Sequence, residues 1–227
     1  MRRIVPFLCL ILAACSGSAP TPDAPKPPQA STPAVPADAP VILAFGDSLY
    51  AGYRLAPGEG YPPRLEAALN AGGVKARVVN AGVSGDTTAA ARERLAFTLD
   101  GQKVKPALVL VGLGGNDMLR GLPPAETRAN LDAILSELDK RHIPAMLTGM
   151  LAAPNMGKDY VAAFNPIYPA LAAKHKAPLV PFFLQAVIGN DKLLLDDHIH
   201  PNAAGVDRIV AATKDEVAKA LKAATVR

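Results

Sequence analysis

Short apolar segments and longer amphipathic segments alternate along the chain from residue 41 to its end. The first apolar segment, Val41–Phe45, is uninterrupted, which is typical of a strand buried on both faces of a parallel sheet. Further strands are predicted over Ala76–Asn80, Ala107–Val111, Pro144–Gly149 and Pro178–Pro181. Parallel strands must be joined by long crossovers, usually helices, and the intervening segments are long enough. The alternation therefore constrains the chain to an α/β fold.

The intervening segments carry apolar residues at helical spacing. Helices are predicted over Pro62–Asn70, Thr87–Leu99, a long segment after Pro123-Pro124, Tyr160–Lys174, and a final segment from near Asn202 towards Leu221. In the long helix, Leu131, Ile134, Leu135 and Leu138 share one face. Helices of this kind cover both faces of the sheet. We therefore predict a three-layer α/β/α sandwich of flavodoxin-like type, with about five parallel strands, formed by residues 41–227 as one domain.

The N-terminus has the organisation of an export signal. Met1-Arg2-Arg3 is positively charged, and the apolar run Ile4–Ala14 is too short to cross a bilayer, which takes ~20 residues. The run ends at Leu12-Ala13-Ala14-Cys15, which resembles the bacterial lipobox, where the signal peptide is removed and the cysteine is lipidated. We expect a lipoprotein signal peptide over residues 1–14 and a lipidated Cys15. An ordinary secretory signal followed by an unmodified cysteine is the alternative.

Residues 15–40 are predicted to be the lipidated cysteine and a disordered tether. This segment is rich in Pro and Ala and lacks apolar periodicity, so it cannot bury enough surface to fold. Loss of the signal peptide would also remove Cys9, so no intramolecular disulfide is expected. Ser16 follows the cysteine, which in signals of this kind favours the outer membrane. The sequence thus predicts an N-terminal lipid anchor and a location at the outer membrane, facing the periplasm.

The charge balance argues against a nucleic-acid partner. The chain has 24 Lys and Arg against 20 Asp and Glu, and no run of basic residues occurs. The segment Gly112-Leu113-Gly114-Gly115 lacks the spacing of a dinucleotide-binding turn, and no phosphate-binding Gly-Lys-Ser/Thr motif is present. We therefore expect neither nucleic acid nor a cofactor, and we take a monomer as the expected state.

Polar stretches follow the first three predicted strands, and another precedes the last helix. They are Gly46-Asp47-Ser48-Leu49, the segment Asn80 to Thr87, the segment Gly112 to Asp117, and the segment Asp196 to Asn202. Ligands of open α/β sheets bind outside the carboxyl ends of the strands. We therefore expect these stretches to meet at one edge of the sheet.

A serine, a histidine and an aspartate within these stretches can form a nucleophilic triad. Ser48 would attack, His200 would take its proton, and Asp197, three residues before His200, would orient the imidazole. Taken alone, the last stretch fits equally well as a polar loop that caps the final helix. Metal binding by His198 and His200 with an aspartate is a third interpretation. No further cluster of ligand side chains supports it, so no metal site is predicted.

Donors for an oxyanion are also available in these stretches. The backbone N–H groups of Ser48 and Gly85 and the side-chain amide of Asn116 would surround the charged oxygen of a tetrahedral intermediate. Gly85 has no Cβ to obstruct a close approach. Each stretch alone also fits an ordinary role, because Gly85-Asp86 suits a helix-capping turn and Asn-Asp pairs commonly end strands.

In this chain order, the four stretches resemble those of the SGNH (GDSL) hydrolase family. The similarity covers residues 41–227 and is strongest to the bacterial thioesterase, lysophospholipase and arylesterase branch. Segments shared with that branch include Gly46-Asp47-Ser48-Leu49, Ala51-Gly52-Tyr53, Ser84-Gly85-Asp86-Thr87, Gly114-Gly115-Asn116-Asp117, Leu119-Arg120-Gly121 and Ile199-His200-Pro201-Asn202. One departure is His198, where that branch is expected to have a small residue.

The resemblance implies a role for each of these residues. Ser48, Asp197 and His200 would be catalytic, and Ser48, Gly85 and Asn116 would form the oxyanion hole. Asp196 is a rival for the carboxylate role, and the Asp-x-x-His spacing of the family favours Asp197. The SGNH hydrolase fold, a Ser-His-Asp acyl-enzyme mechanism and an acyl ester substrate, either a small molecule or a lipid, follow as expectations.

Two apolar loops, residues 118–123 and 151–156, are candidates for acyl binding. We expect Leu119, Gly121, Leu122 and Pro154 to bind substrate, with Gly121 as the pivot of a loop that is mobile in the related branch. The Met and Leu side chains of these loops suit a hydrophobic core equally well. Two other functions are open: an O-acetyl esterase acting on envelope polysaccharide, which would differ only in its loops, and a non-catalytic binding lipoprotein.

Overall fold

The computed structural model describes residues 35–36 and 38–226. The predicted signal peptide, the lipidation site Cys15 and residues 16–34 of the predicted tether lie outside these residues, and they stay predictions. Within the described part of the chain, no helix combines the length and the hydropathy that crossing a bilayer requires.

The sheet has five parallel strands, as the alternation predicts. They are β1 (Val41–Gly46), β2 (Arg77–Gly82), β3 (Leu108–Gly112), β4 (Ala145–Thr148) and β5 (Leu179–Val180), in the order β2-β1-β3-β4-β5. Strand β1 is central and every one of its residues is buried, which explains its uninterrupted apolar sequence. The predicted α/β class and flavodoxin-like strand arrangement are confirmed.

Helices cover both faces of this sheet. They are α1 (Ser48–Ala51), α2 (Tyr61–Ala71), α3 (Thr88–Asp100), α4 (Gly115–Leu119), α5 (Pro124–Lys140), α6 (Lys158–Phe164), α7 (Ile167–His175) and α8 (Ala203–Thr225). Right-handed crossovers from β1 to β2, and from β2 onward to β5, run in opposite directions across the sheet and so place their helices on opposite faces. Accordingly, α2 packs on α8, whereas α5 packs between α3 and α7.

The predicted single helix Tyr160–Lys174 is wrong, because α6 ends at Phe164 and α7 begins at Ile167. Pro166 has no N–H to donate to the preceding turn, and its ring crowds the carbonyl four residues earlier. The interruption is stabilised by Asn165, whose Oδ1 accepts a 2.8 Å hydrogen bond from the Ala152 N–H. The proline was visible in the sequence, and the apolar periodicity on both sides concealed its effect.

Buried aromatic residues join the sheet to the α2–α8 layer. The rings of Tyr50 and Tyr61 stack with centroids 5.3 Å apart. Their hydroxyls hydrogen-bond Thr148 at 2.8 Å and Thr213 at 2.9 Å, so neither phenol is buried without a partner. Burying a large side chain of this kind stabilises the fold by roughly 1.5–3 kcal/mol.

Three neighbouring strands, β2, β1 and β3, end at the same level. Gly46 of β1 is in register with Gly82 of β2 and with Gly112 of β3. A Cβ at Gly46 would lie 2.7 Å from the Gly112 carbonyl oxygen, so only glycine permits this close approach. The loops that follow the three strands therefore start side by side, at the carboxyl edge of the sheet.

The chain enters the domain at the opposite, amino edge. Ala39 is already buried, and the Pro40 carbonyl accepts a 3.0 Å hydrogen bond from the Arg77 N–H. The Val41 carbonyl accepts another, of 2.8 Å, from the Ala107 N–H. Residues just before β2 and just before β3 thus flank the point where the chain joins the sheet.

Candidate active site

Ser48 is held at the carboxyl end of the central strand. It is the first residue of α1, directly after Asp47, whose Oδ1 caps the helix by accepting a 3.1 Å hydrogen bond from the Leu49 N–H. The Asp47 N–H itself donates to the Gly112 carbonyl at 3.2 Å, which ties the turn to β3. Ser48 is 9% exposed, so its hydroxyl is held on a short, well-anchored turn at the edge of a cavity.

His200 and Asp197 meet Ser48 from the last loop of the chain. The Ser48 Oγ lies 2.8 Å from His200 Nε2, and His200 Nδ1 lies 2.7 Å from Asp197 Oδ2. When Nδ1–H donates to the carboxylate, Nε2 is left as the acceptor for the serine hydroxyl. The structure therefore brings together the three residues that the sequence predicts as a triad, in the order serine, imidazole, carboxylate.

The Asp197 carboxylate is held ionised. Desolvation raises its pKa, but hydrogen bonds from the backbone N–H groups of His200 and Ile199, each 2.9 Å to Oδ1, together with the His200 side chain, lower the pKa to about 2. One carboxylate oxygen is thus occupied by the backbone and the other by the imidazole. The negative charge remains available beside the ring at any pH above the acid range.

The loop that carries Asp197 and His200 is closed at both ends. Leu194 and Pro201 form an antiparallel bridge, and the Leu195 N–H donates to the His200 carbonyl at 2.7 Å. Asn202 caps α8 by accepting from the Gly205 N–H at 3.0 Å, and its amide donates to the Leu194 carbonyl at 3.2 Å. The helix-capping interpretation of this segment is correct, and the capping residue Asn202 also fixes the loop that carries Asp197 and His200.

The neighbouring acid and histidine have other hydrogen-bond partners, although His198 also borders the cavity. Asp196 is exposed and accepts a 2.6 Å hydrogen bond from Arg54. His198 has a φ of 56° and lies 3.1 Å from Asp191. Within the described residues, no group of three His, Cys, Asp or Glu side chains is arranged to hold a metal ion. The geometry thus favours Asp197 over Asp196 as the partner of the imidazole.

Gly85 and Asn116 lie at the ends of β2 and β3 and border the same cavity as Ser48. Gly85 has a φ of 85°, and its carbonyl accepts a 2.8 Å hydrogen bond from Arg120. Asn116 Nδ2 donates to the Asp86 carbonyl at 3.0 Å and makes only a long, 3.5 Å contact with Asp47 Oδ2. One amide hydrogen of Asn116 is thus committed to the backbone, and the other has no short acceptor among the described residues.

Asn116 is positioned by a buried polar network under α4. A Cβ at Gly114, which has a φ of 103°, would collide with the hydroxyl of Tyr168, so the turn before Asn116 requires glycine. The next residue, Asp117, accepts hydrogen bonds from the Thr88 N–H at 2.8 Å and the Thr88 hydroxyl at 2.5 Å. These hydrogen bonds fix α4, which follows β3, to the start of α3.

Asp47, next to the serine, is the most perturbed carboxyl of the site. Burial raises its pKa to about 7; the hydrogen bond from the Leu49 N–H opposes this rise, and the nearby charges of Asp117 and Asp86 add to it. The motif marked this residue only as a neighbour of Ser48. Its raised pKa depends on burial in the folded protein, which the sequence does not display.

Tyr53 covers the imidazole. Its ring centroid lies 4.5 Å from that of His200, at an interplanar angle of 40°, and Tyr53 also borders the cavity. The contact limits the positions that the imidazole can take. Sequence reasoning assigned no role to Tyr53 beyond its place in a shared segment, since contact across 147 positions of chain follows only from the fold.

The cavity beside Ser48 has a volume of about 600 Å³ and mostly apolar walls. Besides the polar residues described above, its walls include Leu49, Met118, Leu119, Met150, Leu151, Ala152, Ala153, Pro154, Phe182, Leu184, Ile188 and Ile199. Of the predicted substrate-binding residues, Leu119 and Pro154 border it. Gly121 and Leu122 do not: the Gly121 N–H donates to Met118 and the Leu122 carbonyl accepts from Tyr160, which turns this segment towards α6.

Sequence reasoning missed the wall formed by Phe182, Leu184 and Ile188. These residues follow β5 in an irregular segment that has no periodicity and no motif. Residues that follow parallel strands tend to border the same site. The position of this segment directly after β5 was therefore the sequence signal that could have identified it.

Comparison with known proteins gives a consistent result. A family model described as "GDSL-like Lipase/Acylhydrolase family" matches residues 44–208. Esterase TesA of Pseudomonas aeruginosa is 40% identical over 174 residues, covering 77% of this chain and 86% of that protein. Thioesterase 1/protease 1/lysophospholipase L1 of Escherichia coli is 39% identical over 166 residues, covering 73% and 77%. The crystal structure of AlinE4, an SGNH-hydrolase family esterase, has 57% identity and a TM-score of 0.70, covering 81% of this chain and 97% of that one.

Proposed function

Because the chain belongs to the GDSL-like lipase/acylhydrolase family and is an ester hydrolase, we propose that it acts through Ser48, His200 and Asp197 by an acyl-enzyme mechanism. The observation that carries this proposal is the 2.8 Å contact between Ser48 Oγ and His200 Nε2 at the edge of an apolar cavity. A serine hydroxyl is a weak nucleophile until an adjacent base removes its proton, and this contact supplies the base.

In the first step, Ser48 Oγ attacks the carbonyl carbon of the ester while its proton passes to His200 Nε2. Asp197, 2.7 Å from Nδ1, stabilises the imidazolium that forms. The tetrahedral intermediate then expels the alcohol or thiol, which takes the proton from Nε2, and leaves the acyl group on Ser48. Water then attacks the acyl carbon while one of its protons passes to His200 Nε2. The second intermediate expels Ser48 Oγ, which takes that proton back, and the acid is released.

The oxyanion of each intermediate would be stabilised by the N–H groups of Ser48 and Gly85 and by the amide of Asn116. Within the described residues, neither of those backbone N–H groups donates a hydrogen bond, and all three residues border the cavity. Donors fixed in place before the reaction stabilise developing charge without reorganising, and the loss of one commonly costs about 10²–10³ in kcat.

The apolar walls support an acyl ester of medium chain length as substrate. Leu119, Pro154 and Ile188 offer contacts to a hydrocarbon chain and few to a sugar hydroxyl, which favours an acyl esterase over the O-acetyl esterase of envelope polysaccharide. A panel of esters from acetyl to decanoyl tests this choice. Higher kcat/KM for the C4 to C10 esters is expected, and equal or better turnover of acetyl esters would exclude the acyl groove.

A fluorophosphonate probe tests the mechanism. We expect the probe to label the protein on Ser48 and the Ser48→Ala variant to remain unlabelled, with kcat/KM lower by about 10⁴ or more. Asn116→Ala serves as a partial variant, with hydrolysis lowered while labelling at Ser48 persists. Undiminished ester hydrolysis in Ser48→Ala would overturn the assignment, and no hydrolysis by the wild type would leave the non-catalytic binding lipoprotein.

The location proposed for this enzyme is the cell envelope, on the periplasmic side of the outer membrane, with Cys15 lipidated. The support is the order of a basic segment, an apolar run and Leu12-Ala13-Ala14-Cys15 in the sequence. Metabolic labelling with a palmitate analogue tests it. Cys15→Ser is expected to abolish labelling, while the esterase activity persists.

A further inference from the structure

The amino edge of the sheet collects lysines from segments that are far apart in the sequence. They are Lys75 before β2, Lys103 and Lys105 before β3, and Lys219 and Lys222 near the end of α8, and all are exposed; we refer to them as the basic face. Lys75, Lys219 and Lys222 border one groove of about 370 Å³ together with Pro40 and Val74. The sequence contains no basic run, so this concentration of charge is a product of the fold.

The basic face surrounds the point where the chain joins the domain. The Arg77 N–H donates to the Pro40 carbonyl and the Ala107 N–H to the Val41 carbonyl. Those two hydrogen bonds place the segment around Lys75 on one side of Pro40 and the segment 103–107 on the other. Pro40, where the described chain enters the sheet, therefore lies on the side of the domain that carries these charges.

Most of these lysines are not neutralised by a neighbouring acid. Among the described residues, Lys75, Lys103, Lys105 and Lys222 have no carboxylate oxygen within 4.0 Å, whereas Lys219 pairs with Glu216. Two other cations near the same edge are paired. Arg141 binds Asp100 and Glu137, and Lys174 binds Asp132. The basic face thus presents an excess of positive charge that is available to an external anion.

Exposed apolar side chains accompany the charge. Val104 stands between Lys103 and Lys105 and is 52% exposed, and Phe97, in the last turn of α3, is 83% exposed. Interleaved lysines and exposed apolar side chains are the composition of a surface that lies at the boundary between lipid headgroups and acyl chains. The carboxylates of an acidic protein or peptide would complement only the lysines, and Phe97 would remain in water.

We propose that the basic face binds the surface of a bilayer that contains anionic phospholipids. The lysines would lie against the headgroup phosphates, and Phe97 and Val104 would reach the acyl boundary. Each lysine at such a surface increases partitioning about fivefold, and salt weakens the attraction because it is screened over ~8 Å. The cavity opens at the other end of β1, a strand of six residues and thus about 20 Å away, so binding would leave it uncovered. The proposal requires neither the lipid at Cys15 nor the catalytic assignment.

Vesicle partitioning of the fragment Val35–Arg227 tests this proposal without the N-terminal segment. The fragment contains the whole described core and corresponds to the length of the solved relatives, which match 81% of this chain over 97% of theirs. We expect it to cosediment with vesicles of equal parts phosphatidylglycerol and phosphatidylcholine, to bind phosphatidylcholine vesicles at least about tenfold less, and to dissociate as salt is raised.

Charge-matched variants identify the surface. The variant Lys75→Gln/Lys105→Gln/Lys222→Gln is expected to lose about tenfold or more in binding. The control Arg128→Gln/Lys158→Gln/Lys192→Gln removes the same charge from the carboxyl-edge side and is expected to bind as the wild type does. Ester hydrolysis of a soluble substrate is expected to be unchanged in both.

Three results would overturn the proposal. They are equal binding to both kinds of vesicle, equal losses in the two triple variants, or wild-type binding by the basic-face variant with only a lowered Tm, which would mean that these lysines serve the helix ends. Binding that is lost in Ile188→Ser and kept in the basic-face variant would instead place the lipid contact at the cavity.

Discussion

His200 and His175 are both held by a carboxylate at Nδ1, yet only His200 borders the cavity. His200 lies 2.7 Å from Asp197, and its Nε2 faces the Ser48 hydroxyl at 2.8 Å. His175 lies 2.6 Å from Asp139 through Nδ1 and 2.7 Å from Asp132 through Nε2. Its side chain is 6% exposed and joins the end of α7 to α5.

The difference lies in what the second ring nitrogen meets. In His175 both nitrogens face carboxylate oxygens, and neither meets a hydroxyl that could give up a proton to it. In His200 one nitrogen faces a hydroxyl that can give up its proton to it. A carboxylate-bound imidazole is thus a common structural device, and it becomes a candidate base only where its other nitrogen meets a nucleophile beside a cavity.

Replacing each histidine by alanine tests the difference between His200 and His175 with the largest expected effect. His200→Ala is expected to lower kcat/KM by about 10⁴ or more, because the serine loses its base. His175→Ala is expected to keep the activity within about twofold and to lower the free energy of unfolding by about 1–3 kcal/mol, because two buried-edge hydrogen bonds are lost. Kinetics with a p-nitrophenyl ester and urea denaturation measure the two quantities. A comparable loss of activity in folded His175→Ala would contradict the distinction.

The adjacent residues Asp196 and Asp197 provide the next test of this comparison. Asp197→Asn is expected to lower kcat by about 10³–10⁴, because the amide disturbs the tautomer that leaves Nε2 free to accept. Asp196→Asn is the matched control, and it is expected to stay within about threefold because its exposed pair with Arg54 contributes little. Steady-state kinetics of both variants decide the matter, and the reverse pattern would transfer the carboxylate role to Asp196.

The pH dependence of the free energy of unfolding tests Asp47, a carboxyl of the site that has no imidazole partner. Because burial raises the pKa of Asp47 from 3.8 to about 7, the folded protein binds more protons than the unfolded chain between these values. The wild-type free energy of unfolding should therefore fall as the pH rises through this window and level off above it. Asp47→Asn removes this term, so it should gain about 2–4 kcal/mol relative to the wild type between pH 4 and pH 7. Urea denaturation at several pH values measures the gain, and a constant difference would exclude the raised pKa.

Truncation of Tyr53 removes the ring that covers His200, and this change is expected to have the smallest effect. Tyr53→Ala is expected to lower kcat by about two- to tenfold, because the aromatic contact that limits the imidazole is lost. Tyr53→Phe keeps the ring and is expected to match the wild type. A loss in Tyr53→Phe as large as in Tyr53→Ala would assign the effect to the hydroxyl instead.

The sequence predicts the fold well because strand burial and helix spacing are local patterns. Val41–Phe45 had to be a central strand, and the parallel order then required the loops after β1, β2 and β3 to share an edge. The four polar stretches could be placed for the same reason. The proximity of Ser48 and His200 was predicted from the resemblance of the four stretches to the SGNH family and from their places in that topology, since nothing local relates residues so far apart.

Features that arise from packing between distant segments were not predictable. The acidity of Asp47 depends on burial, the contact of Tyr53 with His200 depends on the orientation of two loops, and the Ile188 wall of the cavity comes from a segment without periodicity. The turn at Gly121 shows a related limit. Its apolar neighbours suit a substrate loop or a core equally well, and only the hydrogen bonds of the fold decide which way they face.

The bridge between Leu194 and Pro201 closes the last loop, so that Asp197 and His200 lie on one small frame. Because the Asp197–His200 contact lies within that frame, a shift of the frame as a whole would change the distance from His200 to Ser48 before it changed the distance from His200 to Asp197. In the proposed mechanism, that distance to Ser48 is the one on which proton transfer depends. Substitutions that improve or impair turnover from a distance are expected to cluster where α8 anchors that frame to the rest of the domain.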